Sequence, residues 1–181
     1  MRPTVNFFSW RRRLLIRGAA ICPLFADATL DASLVRAEPL TVHHISAKAA
    51  NEAVMEAVSA CAQKGYAATA TVVDQDAVRL AVLRGDGAGV HTADVSWGKA
   101  YGAVSFAPVY GQEDSGSVGR LKLSPGSSFQ VPDHMVLRGG GVTIKFGSEV
   151  VGAIGVSGSP SADLDETCAR AGYEKIKASF K

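Results

Sequence analysis

The C-terminal part of the chain limits its fold more than any other stretch. The glycine run Gly139-Gly140-Gly141 opens onto Val142–Phe146, Gly147-Ser148-Glu149 turns the chain, and Val150-Val151-Gly152-Ala153-Ile154-Gly155-Val156 brings it back. Aliphatic runs this short, rich in β-branched residues and bounded by glycine, predict strands rather than helix, and the turn between them makes a β-hairpin. After Ser157-Gly158 comes a polar loop. Asp163 or Asp165 is placed to cap a final helix running to about Lys177, with Gly172 as its weak point.

The same logic organises the middle of the chain. Ala47, Ala50, Val54, Val58 and Cys61 recur at steps of three and four, so Ser46 to Lys64 reads as a helix that Gly65 terminates. Ala68–Val73 and Val78–Leu83 flank the polar turn Asp74-Gln75-Asp76-Ala77 and predict a second hairpin. Arg84-Gly85-Asp86-Gly87-Ala88-Gly89 is a flexible loop without the lysine and Ser/Thr that a phosphate loop requires. A second helix begins at His91 or Thr92 and runs to about Phe106. Val95, Ala100, Ala103 and Val104 form its apolar stripe, and Gly98 and Gly102 predict a close helix contact. Residues 108–138, with Pro108, Pro125 and Pro132, form a long connection of the kind that serves as a lid, an interface element or a partly disordered segment. The order α-β-β-α-loop-β-β-α predicts an α+β fold, an antiparallel sheet of four to five strands packed with helices.

Charge excludes one class of function. The formal net charge of 181 residues is only +2. Arg2, Arg11, Arg12, Arg13 and Arg17 supply much of that excess, so the body of the chain is near neutral or slightly acidic and offers no basic face to nucleic acid. Those arginines belong to a segment of their own. Trp10-Arg11-Arg12-Arg13-Leu14-Leu15-Ile16-Arg17 looks like a twin-arginine export signal, followed by a weakly apolar run from Gly18 to Ala26. That run is shorter than the roughly 20 residues a bilayer span needs, so stable membrane insertion is not expected. Val35-Arg36-Ala37 suits cleavage before Glu38, giving residues 1–37 as signal and 38–181 as a single periplasmic domain. Cys22 leaves with the signal. Cys61 and Cys168 fall on predicted helices, where buried free thiols are the simpler expectation and a disulfide in an oxidising compartment is the alternative.

Two blocks carry a family resemblance. The hairpin Gly139–Gly158 with Asp165-Glu166-Thr167-Cys168-Ala169-Arg170-Ala171-Gly172 is one, and His91-Thr92-Ala93-Asp94 with Lys99-Ala100-Tyr101-Gly102-Ala103 is the other. Over about residues 45–178 the chain resembles the GlcG/HbpS family of small haem-binding domains, which also forms the C-terminal domain of PduO-type proteins. The resemblance implies a profilin-like sheet, assembly into homo-oligomers, and haem or a related tetrapyrrole as ligand. Taken with the export signal at Arg11-Arg12-Arg13, it leads to the expectation of an exported protein that captures or buffers haem. The alternatives are an enzyme that degrades haem oxidatively or acts on a hydroxy acid, and a structural module without a ligand.

The candidate site residues follow from chemistry and position. His91 and Thr92 stand where a glycine loop meets a helix N-terminus. His91 is the candidate iron ligand, and Lys99, two turns on, the candidate partner of a propionate. Alternatively His91 caps the helix and Lys99 makes an intersubunit salt bridge. Tyr101 either stacks on a porphyrin or packs beside Trp97. His134 precedes the glycine run and lines a pocket or lies solvated in a loop. Gly140, Gly141 and Val142 either admit a flat ligand against the backbone or permit a sharp approach to the strand. Ser157 lacks the nucleophile-elbow spacing, and Asp163, Asp165 and Glu166 suit a helix N-terminus better than acid–base chemistry.

Overall fold

A computed structural model describes residues 39–180, so the expected signal and its cleavage point lie outside the described residues. Four helices and four strands follow in the order α1 (Ala47–Ala62), β1 (Thr69–Asp74), β2 (Arg79–Arg84), α2 (Thr92–Phe106), α3 (Ser115–Lys122), β3 (Gly141–Phe146), β4 (Glu149–Ser157) and α4 (Ala162–Lys177). The sheet is antiparallel throughout and ordered β2-β1-β4-β3. This is the expected α+β architecture, with four strands.

Alternation along the strands divides the sheet into two faces. Ala70, Val72, Val142, Ile144, Ile154 and Val156 point to the side covered by α1 and α4, where they join Ala53, Val54, Cys61, Cys168 and Ile176 in the main core. Val73 and Ala153 point the other way, against Ala100, Ala103 and Val104 of α2. Residues of β1 that face α2 include two threonines, and their hydroxyls are paired. Thr92 Oγ1 donates to the carbonyl of Gly89 at 2.6 Å and so accepts from Thr69 Oγ1, also at 2.6 Å. Ser96 Oγ donates to the Ala93 carbonyl and accepts from Thr71 Oγ1 at 2.8 Å. These bonds fix the register of α2 on the sheet while leaving no unpaired buried hydroxyl. Gly155 lets α2 lie this close, because a Cβ there would sit 2.0 Å from the Ser96 carbonyl oxygen.

Several expectations need correction. Ser161, not Asp163 or Asp165, caps α4, its hydroxyl accepting from Leu164 N at 3.3 Å. Gly98 and Gly102 do admit a close neighbour, but it is the extended segment Met135–Leu137 rather than a helix; Val136 N donates to the Gly98 carbonyl at 2.9 Å. The long connection contains α3, capped by Asp114, and a small core of Ala107, Val118, Met135 and Leu137. The hairpin turn that lacks glycine uses Ala77 in the left-handed region, at φ 62°. Asp74 Oδ1 supports that turn by accepting from the backbone N–H groups of Asp76 and Val78. Finally, Cys61 and Cys168 form a disulfide between α1 and α4, with Cα atoms 5.6 Å apart. Free thiols were the simpler expectation because helical periodicity alone does not bring two helices side by side.

Candidate functional site

Helix α2 separates the candidate residues into two groups. At about 3.6 residues per turn, His91, Val95 and Lys99 follow one stripe, while Trp97 and Tyr101 follow another on the far side. Each stripe opens onto its own cleft.

The first cleft, of about 390 Å³, is lined by His91, Val95 and Lys99 from α2, by Val136 and Arg138, and by residues from Ser157 to Asp165. His91 is exposed and makes no side-chain capping bond. Its ring lies across Gly89, where a Cβ would come within 2.7 Å of Cε1. Lys99 forms one wall and is almost wholly buried. Its Nζ donates to Asp165 Oδ2 at 2.6 Å, and both side chains are 5% exposed. Asp165 Oδ1 accepts from Ser159 N at 2.9 Å, with Ser159 Oγ 2.7 Å away. The Lys99 ammonium is therefore committed within its own chain, where a propionate or a neighbouring subunit was expected. Asp165 lies in the first turn of α4, as expected of a helix-terminal charge, and is in addition the buried counter-ion of Lys99.

The second cleft, of about 580 Å³, lies between the β1–β2 turn, α2 and the turn at His134. Trp97 Nε1 donates to the Ala77 carbonyl at 3.1 Å, which pins the indole. Tyr101 lies nearly parallel to it, 18° between planes and 5.8 Å between centroids. The Arg79 guanidinium sits 4.0 Å from the Trp97 ring centre, a cation–π contact. The His134 ring is 5.7 Å from the indole, and His134 holds a left-handed backbone at φ 66°. A non-glycine residue adopts that conformation only when its surroundings enforce it. Asp76 and Asp133 add carboxylates at the rim.

The remaining candidates belong to neither cleft. Thr92 is buried with its hydroxyl engaged as described above, and Val142 packs in the main core. Gly140 adopts φ 113°; a Cβ there would meet Asp165 Cβ and the Val156 carbonyl oxygen at 2.8 Å, and at Gly141 it would lie 2.1 Å from the Lys99 carbonyl oxygen. Protein atoms fill the space a flat ligand would need, so these glycines serve the junction of α2, β3 and α4. Arg79, Trp97, Arg138 and Ser157 line the two clefts without having been singled out as binding residues. The four-residue step from Trp97 to Tyr101 was the one sequence signal for an aromatic face. Among the described residues no group of three or more His, Cys, Asp or Glu side chains is placed to hold a metal ion. No helix among them is long and apolar enough to cross a membrane.

Comparison with known proteins adds a second line of observation. A family model described as haem degrading protein HbpS-like matches residues 45–174. The crystal structure of a double mutant of Streptomyces reticuli HbpS, with two glutamates changed to aspartate, is 31% identical at a TM-score of 0.63, covering 79% of this chain and 96% of that one. Klebsiella pneumoniae protein ORFY is 26% identical at a TM-score of 0.70, covering 80% and 98%. A PduOC–haem complex shares the fold at 19% identity and a TM-score of 0.64, covering 74% and 96%. No curated protein matches the chain.

Proposed function

The chain belongs to the HbpS-like family, whose model spans residues 45–174, and from that membership we propose that it binds haem or a related tetrapyrrole and captures or buffers it. The observation that carries this reading is the aromatic cleft. A porphyrin offers a broad apolar face, anionic propionates and an iron that accepts an imidazole nitrogen. The cleft offers the near-parallel Trp97 and Tyr101, the Arg79 guanidinium and the His134 imidazole. Its volume is the larger of the two, within the range of small-molecule sites of roughly 300–1,000 Å³. The haem complex of the PduOC neighbour gives the fold a precedent as a haem carrier. His134 is thus the iron ligand of this reading, in place of His91, which lies across α2 in the narrower and more polar cleft.

An absorbance titration of the purified protein with haemin tests it. A saturable shift of the Soret band is expected. His134→Ala should alter the spectrum and weaken binding by about tenfold or more, roughly 1.4 kcal/mol, while His91→Ala leaves both unchanged. A spectrum altered by His91→Ala alone moves the ligand to the other cleft, and a featureless titration overturns the haem reading.

The family description favours a second reading, oxidative degradation of bound haem. Loss of the Soret band with product formation under oxygen and a reductant, absent with denatured protein, distinguishes it from binding alone. The proposal also places the protein outside the cytoplasm after cleavage near Ala37. Its support is the twin-arginine pattern at Arg11-Arg12-Arg13 and the Cys61–Cys168 disulfide, since disulfides persist chiefly in oxidising compartments. Self-association completes it. Strand β2 is a sheet edge, and Val78 just before it and Val82 within it are 58% and 47% exposed; light scattering on the purified protein reads the assembly size.

A further inference from the structure

We infer, resting on the tetrapyrrole reading above, that Arg79 selects the ligand of the aromatic cleft by its carboxylate, binding one propionate and leaving the other in solvent. An irregularity in β2 is the starting point. Ala81 pairs with Val72, and both join the main core beneath α1 and α4. Strict alternation would put Arg79, two residues earlier, on that same face. The register instead slips between Val72 and Val73, so that Arg79 pairs with Val73, whose side chain packs against α2. A β-bulge of this kind re-aims a side chain. Here it turns Arg79 away from the main core, to the side of the sheet where Trp97 stands.

The guanidinium is then held by its face. Its centre lies 4.0 Å from the Trp97 ring centre, and the indole is itself fixed by the bond from Trp97 Nε1 to the Ala77 carbonyl. Stacking uses the flat face of the group and leaves the donors around its edge free to meet a carboxylate with two parallel bonds. Its one ion pair among the described residues is with Asp94 Oδ1 at 3.8 Å, and the Asp94 side chain is 89% exposed. That distance is too long for a hydrogen bond, and so exposed a pair adds little, so a better-placed carboxylate displaces it. Arg84, at the other end of β2, differs: its Nε already donates to the Ala88 carbonyl at 2.8 Å. Arg79 is also the one permanent cation lining the aromatic cleft, whose permanent anions are Asp76 and Asp133. One carboxylate therefore finds a preorganised partner, and a second entering beside it meets like charge.

Absorbance titration of the full chain with haemin, its monomethyl ester and its dimethyl ester, all in one cosolvent, tests this. The wild type should bind haemin and the monoester alike. It should bind the dimethyl ester at least about tenfold more weakly, because the charge-assisted pair is lost. Arg79→Gln should bind haemin as weakly as the wild type binds the dimethyl ester, and should no longer distinguish the three ligands. Arg79→Lys, which keeps the charge without the flat fork, should fall between. Arg138→Gln, in the other cleft, should keep the wild-type preference. Unchanged urea midpoints verify the fold of the variants, and the ester series in the wild type requires no substitution at all. Haemin binding without a preference against the dimethyl ester overturns the inference and leaves the haem reading intact. So does a folded Arg79→Gln variant that retains the preference, or an Arg138→Gln variant that loses it. A monoester as weak as the dimethyl ester shows that two carboxylates are bound and overturns the single-propionate assignment. A featureless titration with haemin overturns the haem reading and this inference together.

Discussion

Lys99 and Asp165 show how one residue's role follows from its surroundings rather than its type. Both side chains are 5% exposed, and their charges meet at 2.6 Å with Ser159 N completing the carboxylate shell. A pair like this adds little compared with a well-packed apolar substitute, since desolvating two ions offsets most of their attraction. Removing one partner is another matter, because the other stays buried and uncompensated. Lys99→Met is accordingly expected to lower the unfolding free energy by about 3–5 kcal/mol, measured by urea denaturation. Lys99→Met with Asp165→Leu should recover much of that loss. The position of Lys99 in the wall of the polar cleft also sets a negative expectation: once folded at low temperature, Lys99→Met should titrate with haemin as the wild type does. A selective loss of haemin affinity would return Lys99 to the role of propionate partner.

Among the elements, α1 and α4 depend on each other more than on the sheet edge. They lie side by side over one face, share the main core, and are joined by a disulfide between residues separated by 107 positions. Closing a loop of that length removes much of the freedom of the unfolded chain, worth about 4.7 kcal/mol in the chain-entropy description. Replacing Cys61 and Cys168 together by alanine should therefore cost about 2–5 kcal/mol. The urea midpoint of the wild type should fall similarly on reduction, and a variant as stable as the oxidised protein would show the bond to be incidental. Helix α3 illustrates the opposite case, an element that its own sequence barely specifies. Ser115-Gly116-Ser117-Val118-Gly119 has poor helix propensity. The helix exists because Asp114 caps it, Oδ1 accepting from Ser117 N at 2.6 Å, and because Gly119 fits beneath the Leu137 carbonyl, where a Cβ would come within 2.0 Å. The spacing of Asp114 and Ser117 was the available signal, and proline and glycine around it masked it.

For the whole molecule, the sheet, its two hairpins and three of the helices were legible because each carries its own periodicity and turn residues. The division of the site was not read, although the four-residue steps His91-Val95-Lys99 and Trp97-Tyr101 already put the two sets on different sides of one helix. What no periodicity conveys is which loop meets each side: Arg138 and Ser157 reach one cleft, Arg79 and His134 the other, through contacts distant in sequence. The disulfide links this folded unit to the proposed export route. If Arg11-Arg12-Arg13 directs the chain out of the cytoplasm, replacing all three by lysine should hold it in a reducing compartment, where Cys61 and Cys168 do not pair. Cell fractionation with alkylation of free thiols reads both consequences at once. The lysine variant should stay cytoplasmic, carry two alkylatable thiols in residues 38–181 and melt earlier, as the double alanine variant does. An exported and oxidised lysine variant would remove the arginines from the route. A cytoplasmic wild-type chain that is already oxidised would show that the bond forms without export, and the disulfide would then no longer support a periplasmic location.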